Sequence, residues 1–121
     1  MEKVRPYAFD FDGVIAKYEG FKGKDHFGEP NEVVVDAIRR LSGLGNKIII
    51  YSTRSEESLK KYCLLHNIPV DYFNRNPELE GENPGKPIAY VYIDDRTVCY
   101  RNQTTEQLVN EILQFKAHWE K

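Results

Sequence analysis

Two stretches of the chain carry apolar residues straight into carboxylates. Tyr7-Ala8-Phe9 leads into Asp10-Phe11-Asp12-Gly13, and Ile88-Ala89-Tyr90-Val91-Tyr92-Ile93 leads into Asp94-Asp95-Arg96. Side chains alternate along an extended strand, so a strand over 7–11 projects Asp10 and Asp12 to one side where it runs out. Gly13 then permits a sharp turn. Asp94 and Asp95 are adjacent and point to different sides, so one faces a bound cation directly while the other binds through water or fixes the loop; Asp94 is the direct candidate. Acids held together at strand ends repel unless a divalent cation or a shared proton neutralises them. The pattern therefore points to a hard-cation site, against the plainer alternative of Asp-Gly and Asp-Asp turns that close strands for conformational reasons.

A third candidate is Ser52-Thr53-Arg54-Ser55, which follows the apolar, β-branched run Lys47-Ile48-Ile49-Ile50-Tyr51. In open α/β sheets ligands bind beyond the C-terminal ends of strands. The guanidinium fork of Arg54 matches phosphate geometry. Ser55 reads as the N-cap of a helix that begins Glu56-Glu57 and continues through Leu59, Tyr62 and Cys63.

The elements that must hold these groups are legible as periods. Pro30 suits the first turn of a helix, and Val33, Val34, Ala37, Ile38 and Leu41 recur at three and four residues before Gly43 and Gly45 end it. With the runs at 7–11 and 47–51 this makes a right-handed β-α-β unit. A third strand is expected over Val70–Phe73, after His66-Asn67-Ile68-Pro69 stops the second helix. Residues 74–87 are polar and rich in Pro and Gly, so they form a long loop. A strand over 88–93 follows. Thr104 and Gln107 make a capping box, and Leu108, Ile112, Phe115 and Trp119 fall on one helical face as core packing, or alternatively as a dimer contact through Phe115 and Trp119. Residues 16–29 lack a period and are expected to lie over the carboxylates as a flap anchored by Phe21 and Phe27, with His26 facing solvent.

Phe9-Asp10-Phe11-Asp12-Gly13-Val14-Ile15 resembles the first motif of the haloacid dehalogenase-like hydrolases, a superfamily dominated by magnesium-dependent phosphatases. The resemblance implies that Asp10 is the nucleophile that forms an aspartyl-phosphate and that Asp12 is the general acid/base. Ile50-Tyr51-Ser52 resembles the second motif, in which the Ser52 hydroxyl and a neighbouring amide hold phosphoryl oxygens, with Thr53 and Arg54 beside it. Tyr92-Ile93-Asp94-Asp95-Arg96 resembles the fourth, whose acids complete a Mg²⁺ shell with the nucleophile and the main-chain carbonyl of the Asp12 position. Lys86 is the candidate for the third motif, a lysine that neutralises the nucleophile and phosphate. A straight strand over 88–93 would start Lys86 roughly 20 Å from the acids at about 3.3 Å per residue, so the loop must curl for it to serve. Arg75, Lys60 and Lys61 are alternatives.

The resemblance spans residues 7–96 and implies a three-layer α/β/α sandwich with a Rossmann-like parallel sheet in the order 3-2-1-4, in which Asp10 and Asp94 meet across the switch point. Neither 16–29 nor 74–87 is long enough for the cap domain of larger members. The expected activity is Mg²⁺-dependent hydrolysis of a phosphoester, small or macromolecular. Two other readings stand beside it: a non-catalytic phosphate- or partner-binding module, and a phospho-acceptor domain of the receiver type. Receivers place the adjacent acid pair on the first strand and the acceptor later, the reverse of the order here.

At 121 residues and 40% apolar content the chain suits a single domain over 1–121. A formal charge of −2 with both signs interspersed gives no extended basic face for nucleic acid or anionic membrane. Glu2, Lys3 and Arg5 precede only a short apolar run, and no stretch approaches a bilayer span, so a cytoplasmic protein is expected. Cys63 and Cys99 are too isolated for a zinc knuckle or a disulfide framework and are expected as reduced thiols.

Overall fold

A computed structural model describes residues 3–82 and 85–120. Its elements are β1 (Pro6–Asp10), α1 (Glu32–Gly43), β2 (Lys47–Tyr51), α2 (Glu56–Leu65), β3 (Tyr72–Phe73), β4 (Val91–Ile93) and α3 (Thr105–Leu113). The four strands form one sheet in the order β3-β2-β1-β4, every pair parallel. The order and sense are those of an α/β Rossmann-like sandwich, with β1 central and β4 beside it. Among the described residues no helix is long and apolar enough to cross a membrane.

β2 is a continuous apolar run because both its faces are covered. Ile48, Ile49 and Ile50 have no exposed surface, each contributing roughly 2 kcal/mol of hydrophobic stabilisation. Phe9, Ile48 and Ile50 pack against Val35 and Ile38 of α1 and Leu59, Tyr62 and Cys63 of α2, so both helices lie on one side of the sheet. The opposite side carries Ala8 and Ile49, both fully buried, with Tyr92 and Tyr72 in register beside them. Described residues of the connection between β3 and β4 meet this side through the two tyrosines. The Tyr72 hydroxyl donates to Glu78 and that of Tyr92 to the Pro87 carbonyl. The Asn76 amide ties the two ends of this segment by donating to the Ile88 carbonyl at 2.8 Å.

Local signals set the helix ends. Ser55 Oγ accepts from Ser58 N–H, and Thr104 and Gln107 form a reciprocal capping box. α1 starts at Glu32, after Asn31, two residues beyond the Pro30 start that its sequence suggests. The strand expected over 70–73 shortens to Tyr72–Phe73, and that over 88–93 to Val91–Ile93, extended by one hydrogen bond from Tyr90 N–H to the Pro6 carbonyl.

The C-terminal segment departs from its periodicity. α3 stops at Leu113 and contains no buried residue, so the Leu108-Ile112-Phe115-Trp119 row is not a core stripe. Glu111 instead receives Arg101 and Gln103 from the preceding loop, which leaves Ile112 and Leu113 facing out. Beyond α3 the chain turns back, buries Ala117, and brings His118 and Trp119 against the loop after β1.

Candidate metal and phosphate site

The turn after β1 is wound tightly around one carbonyl. Phe11 O accepts from the N–H groups of Val14, Ile15 and Ala16 at 3.2, 2.9 and 3.0 Å, with Gly13 at φ 87°. The strand ends at Asp10, and Phe11 already belongs to this turn, so the alternation that would point Asp12 alongside Asp10 is interrupted. Asp10 and Asp12 still border the same cavity but serve different partners.

Asp10, Asp94 and Asp95 converge: one carboxylate oxygen from each lies within 4.8 Å of the others. The parallel register explains the meeting, since Phe9 pairs with Ile93 and the next residue of each strand is an acid. Phe11 N–H donates to Asp10 Oδ1 at 2.8 Å. Asp94 accepts from the Tyr51 hydroxyl on one oxygen at 2.8 Å and from Arg96 N–H on the other at 2.9 Å. Asp95 Oδ2 accepts from the Trp119 indole N–H, whereas Asp95 Oδ1 is buried and meets no hydrogen-bond partner among the described residues.

Electrostatics follow from this crowding. Burial, contact with Asp95 and the charge of Asp94 push Asp10 up from 3.8 to about 8. Burial opposes ionisation of Asp95, yet its contacts with Asp10 and Trp119 hold it below the ordinary value. Crowding thus separates the two neighbours, Asp10 favouring its neutral form and Asp95 its ionised one. Burial and the hydrogen bond to Asp94 push Tyr51 up.

Asp12 stands apart from the trio. Arg54 Nε and Nη2 donate to its two oxygens at 2.8 and 3.0 Å, a bidentate pair of which both side chains are mostly shielded. The same guanidinium donates to the carbonyls of Lys24 and His26 at 2.8 and 2.7 Å and lies over the Phe27 ring. Arg54, expected to grip phosphate, therefore spends its fork on Asp12 and on the flap.

That flap is closed at its base by Lys17 N–H donating to the Glu29 carbonyl at 2.8 Å, beside an Ala16–Pro30 bridge. Phe27 anchors it against Phe11 and Tyr62, and the Tyr62 hydroxyl donates to the Gly28 carbonyl. Phe21 does not anchor; it is 78% exposed. The flap and strand ends enclose an open cavity of about 860 Å³ whose walls include Tyr18, Phe21, Lys24 and Arg96.

Ser52 and Thr53 line this cavity beside Asp10 and Asp12. Ser52 Oγ accepts from Arg54 N–H at 3.1 Å, and its own amide donates to Asn74 Oδ1 at 2.8 Å, so the hydroxyl proton is the donor it can present to an anion. Lys86 sits elsewhere, with Nζ 4.6 Å from the Tyr92 ring centroid at a hollow shared with Pro87 and Ile88, while its neighbour Gly85 reaches the cavity wall. The alternatives to Lys86 pair on the surface: Lys60 with Glu56, Lys61 with Glu57 and Arg75 with Glu80. Lys24 and Arg96 are the cations that the structure brings to the cavity in addition to Arg54.

Sequence reasoning missed Tyr51, Asn74 and Trp119. Tyr51 was findable, because the residue ending β2 is the register partner of Asp10. Asn74 takes φ 58°, a left-handed conformation that Asn tolerates, directly after an apolar strand. Nothing local marks Trp119, which reaches Asp95 in sequence-distant contact and packs on Tyr18 near the other end of the chain.

No family model matches the chain, and no curated protein matches it. Among solved structures it is similar to a conserved protein coded by a locus from Bacteroides thetaiotaomicron, at 23% identity over 93% of this chain and 91% of that one. The TM-score of 0.65 makes that similarity one of fold.

Proposed function

We propose that the protein is a Mg²⁺-dependent phosphatase of the haloacid dehalogenase-like type, with Asp10 as nucleophile. The observation that carries this reading is the junction of Asp10, which lines the open cavity, with Asp94 and Asp95 behind it, a buried carboxylate oxygen of Asp95 having no hydrogen-bond partner among the described residues. An all-oxygen donor set with an orphaned anionic oxygen fits a hard divalent cation. Asp10, Asp94 and Asp95 would hold Mg²⁺, which when bound screens the repulsion between carboxylate and phosphate and stabilises charge on the equatorial oxygens.

The chain's own groups supply the rest. The Phe11 amide orients Asp10 for attack of a carboxylate oxygen on phosphorus, while the Ser52 hydroxyl can donate to a phosphoryl oxygen. The bond to the leaving oxygen breaks as the bond to Asp10 forms, and Asp12 gives that oxygen its proton; this requires the Asp12–Arg54 pair to open. Asp12, once deprotonated, takes a proton from the water that attacks phosphorus, and the bond from phosphorus to the Asp10 oxygen breaks, releasing inorganic phosphate and restoring the carboxylate. Opening the pair also releases the Lys24 and His26 carbonyls, so acid/base chemistry and flap position are linked through one guanidinium. The substrate is a phosphate monoester admitted from an uncapped side, with Lys24 and Arg96 to meet its anionic portion.

The test is phosphate release from an aryl phosphate and a phosphoester panel, with and without Mg²⁺. Wild type should turn over only with the cation, and Asp10→Asn should lose about a thousandfold or more. Absence of turnover on every ester, with inorganic phosphate still bound, would favour a non-catalytic phosphate-binding module. That alternative draws on the closed Asp12–Arg54 pair and on the distance of Lys86 from the cavity.

A further inference from the structure

Trp119 is the single tryptophan of the chain, and its fold position is unusual for a residue six positions beyond its helix. Its indole N–H donates to Asp95 Oδ2. Its ring meets Tyr18 edge-on at 4.6 Å between centroids, and the Arg96 guanidinium lies 5.1 Å from the ring centre. Next to it, His118 Nε2 donates to the Gly13 carbonyl. The fit is close: a Cβ on Gly13 would stand 2.2 Å from Asp95 Oδ2 and 3.0 Å from Trp119 Nε1. The C-terminal segment therefore clasps both acid-bearing loops, one through the Gly13 carbonyl and the other through a carboxylate oxygen.

This contact divides the work of the two Asp95 oxygens. Oδ2 is occupied by the indole, and Oδ1 is the buried oxygen that no described residue satisfies. A donor on one oxygen of a carboxylate ligand fixes its rotamer, and such outer contacts change metal affinity by roughly 10–100-fold. We propose that Trp119 is a positioning residue for the cation site: its N–H holds Asp95 so that Oδ1 is presented to a divalent cation shared with Asp10 and Asp94. The inference rests on the metal-site reading above. It makes the far end of the chain part of a site whose other members end β1 and β4.

Trp119→Phe tests it, because the ring that packs on Tyr18 is largely kept and only the donor is lost. Calorimetric titration of the metal-free protein with Mg²⁺ should give a dissociation constant about tenfold or more higher for the variant than for wild type. Melts in a chelator should show the variant still folded. In wild type the emission of Trp119 should change saturably with Mg²⁺ and follow the calorimetric isotherm, a signature that a merely packed indole would not give. Equal affinities for wild type and Trp119→Phe, or an emission indifferent to bound Mg²⁺, would overturn the inference alone. Failure of wild type to bind Mg²⁺ at all would overturn both the inference and the reading beneath it.

Discussion

Arg54 is the residue on which most of the cavity's polar order converges. Four of its hydrogen bonds reach Asp12 and two flap carbonyls, and its plane rests over Phe27. Removing it leaves Asp12 a shielded carboxylate without its partner, the costly direction in which to break such a pair. Arg54→Met should lower stability by about 2 kcal/mol, seen as a lower denaturant midpoint, and should speed proteolytic cleavage within residues 20–26. An unchanged cleavage pattern would mean that the flap is held by Phe27 alone. The pairing was not legible beforehand: 42 residues separate the two side chains, and a guanidinium beside a strand-end hydroxyl looks equally suited to an anion.

At the scale of elements, what could be read was what is locally encoded. β2 matches its sequence limits because three consecutive isoleucines between Lys47 and Tyr51 have no competing period. The caps at Ser55 and Thr104 are side-chain chemistry within three residues. The acid trio was legible as well, since parallel pairing of two strands that each run into Asp brings those ends together. The tail was not. Leu108, Ile112, Phe115 and Trp119 keep a helical interval, but the helix ends at Leu113 and the interval ceases to mean a shared face. Tertiary contacts of His118 and Trp119 with the loops at Gly13 and Asp95 decide its course. Phe115 remains 40% exposed, while the Trp119 indole N–H is directed at Asp95.

For the whole molecule, the crowded acids make stability depend on pH and on cations together. Asp10 titrates near 8 in the folded chain against an ordinary value of 3.8. Between those limits the metal-free fold holds a proton that the unfolded chain has released, so its stability falls as pH rises from about 4 to about 8. Asp95 is shifted the other way, and its contribution is lost as pH falls below its ordinary 3.8. Melting temperatures in a chelator should therefore decline across pH 5–8. Millimolar Mg²⁺ should flatten or reverse that decline, because the cation takes the place of the proton and binds more tightly as the proton leaves. A decline of the same slope with and without Mg²⁺ would argue against a cation among these carboxylates.

The narrow base of the flap has a consequence for how this architecture could be enlarged. A Cβ on Gly28 would lie 1.9 Å from the Lys17 carbonyl oxygen, so the two sides of the neck cannot move apart by even a methyl without breaking its hydrogen bonds. Gly20 and Gly23, at the tip, have no atom within 4 Å of a Cβ. Added bulk thus meets open space at the tip and backbone at the neck. A six-residue Gly-Ser insertion between Phe21 and Lys22 should leave the melting temperature within a few degrees, since lengthening a closed loop adds only about 0.6 kcal/mol per doubling. Gly28→Ala should instead cost about 2 kcal/mol. If so, growth at the tip could change what the cavity admits, with the acid trio and its clasp from the C-terminal segment left as they are.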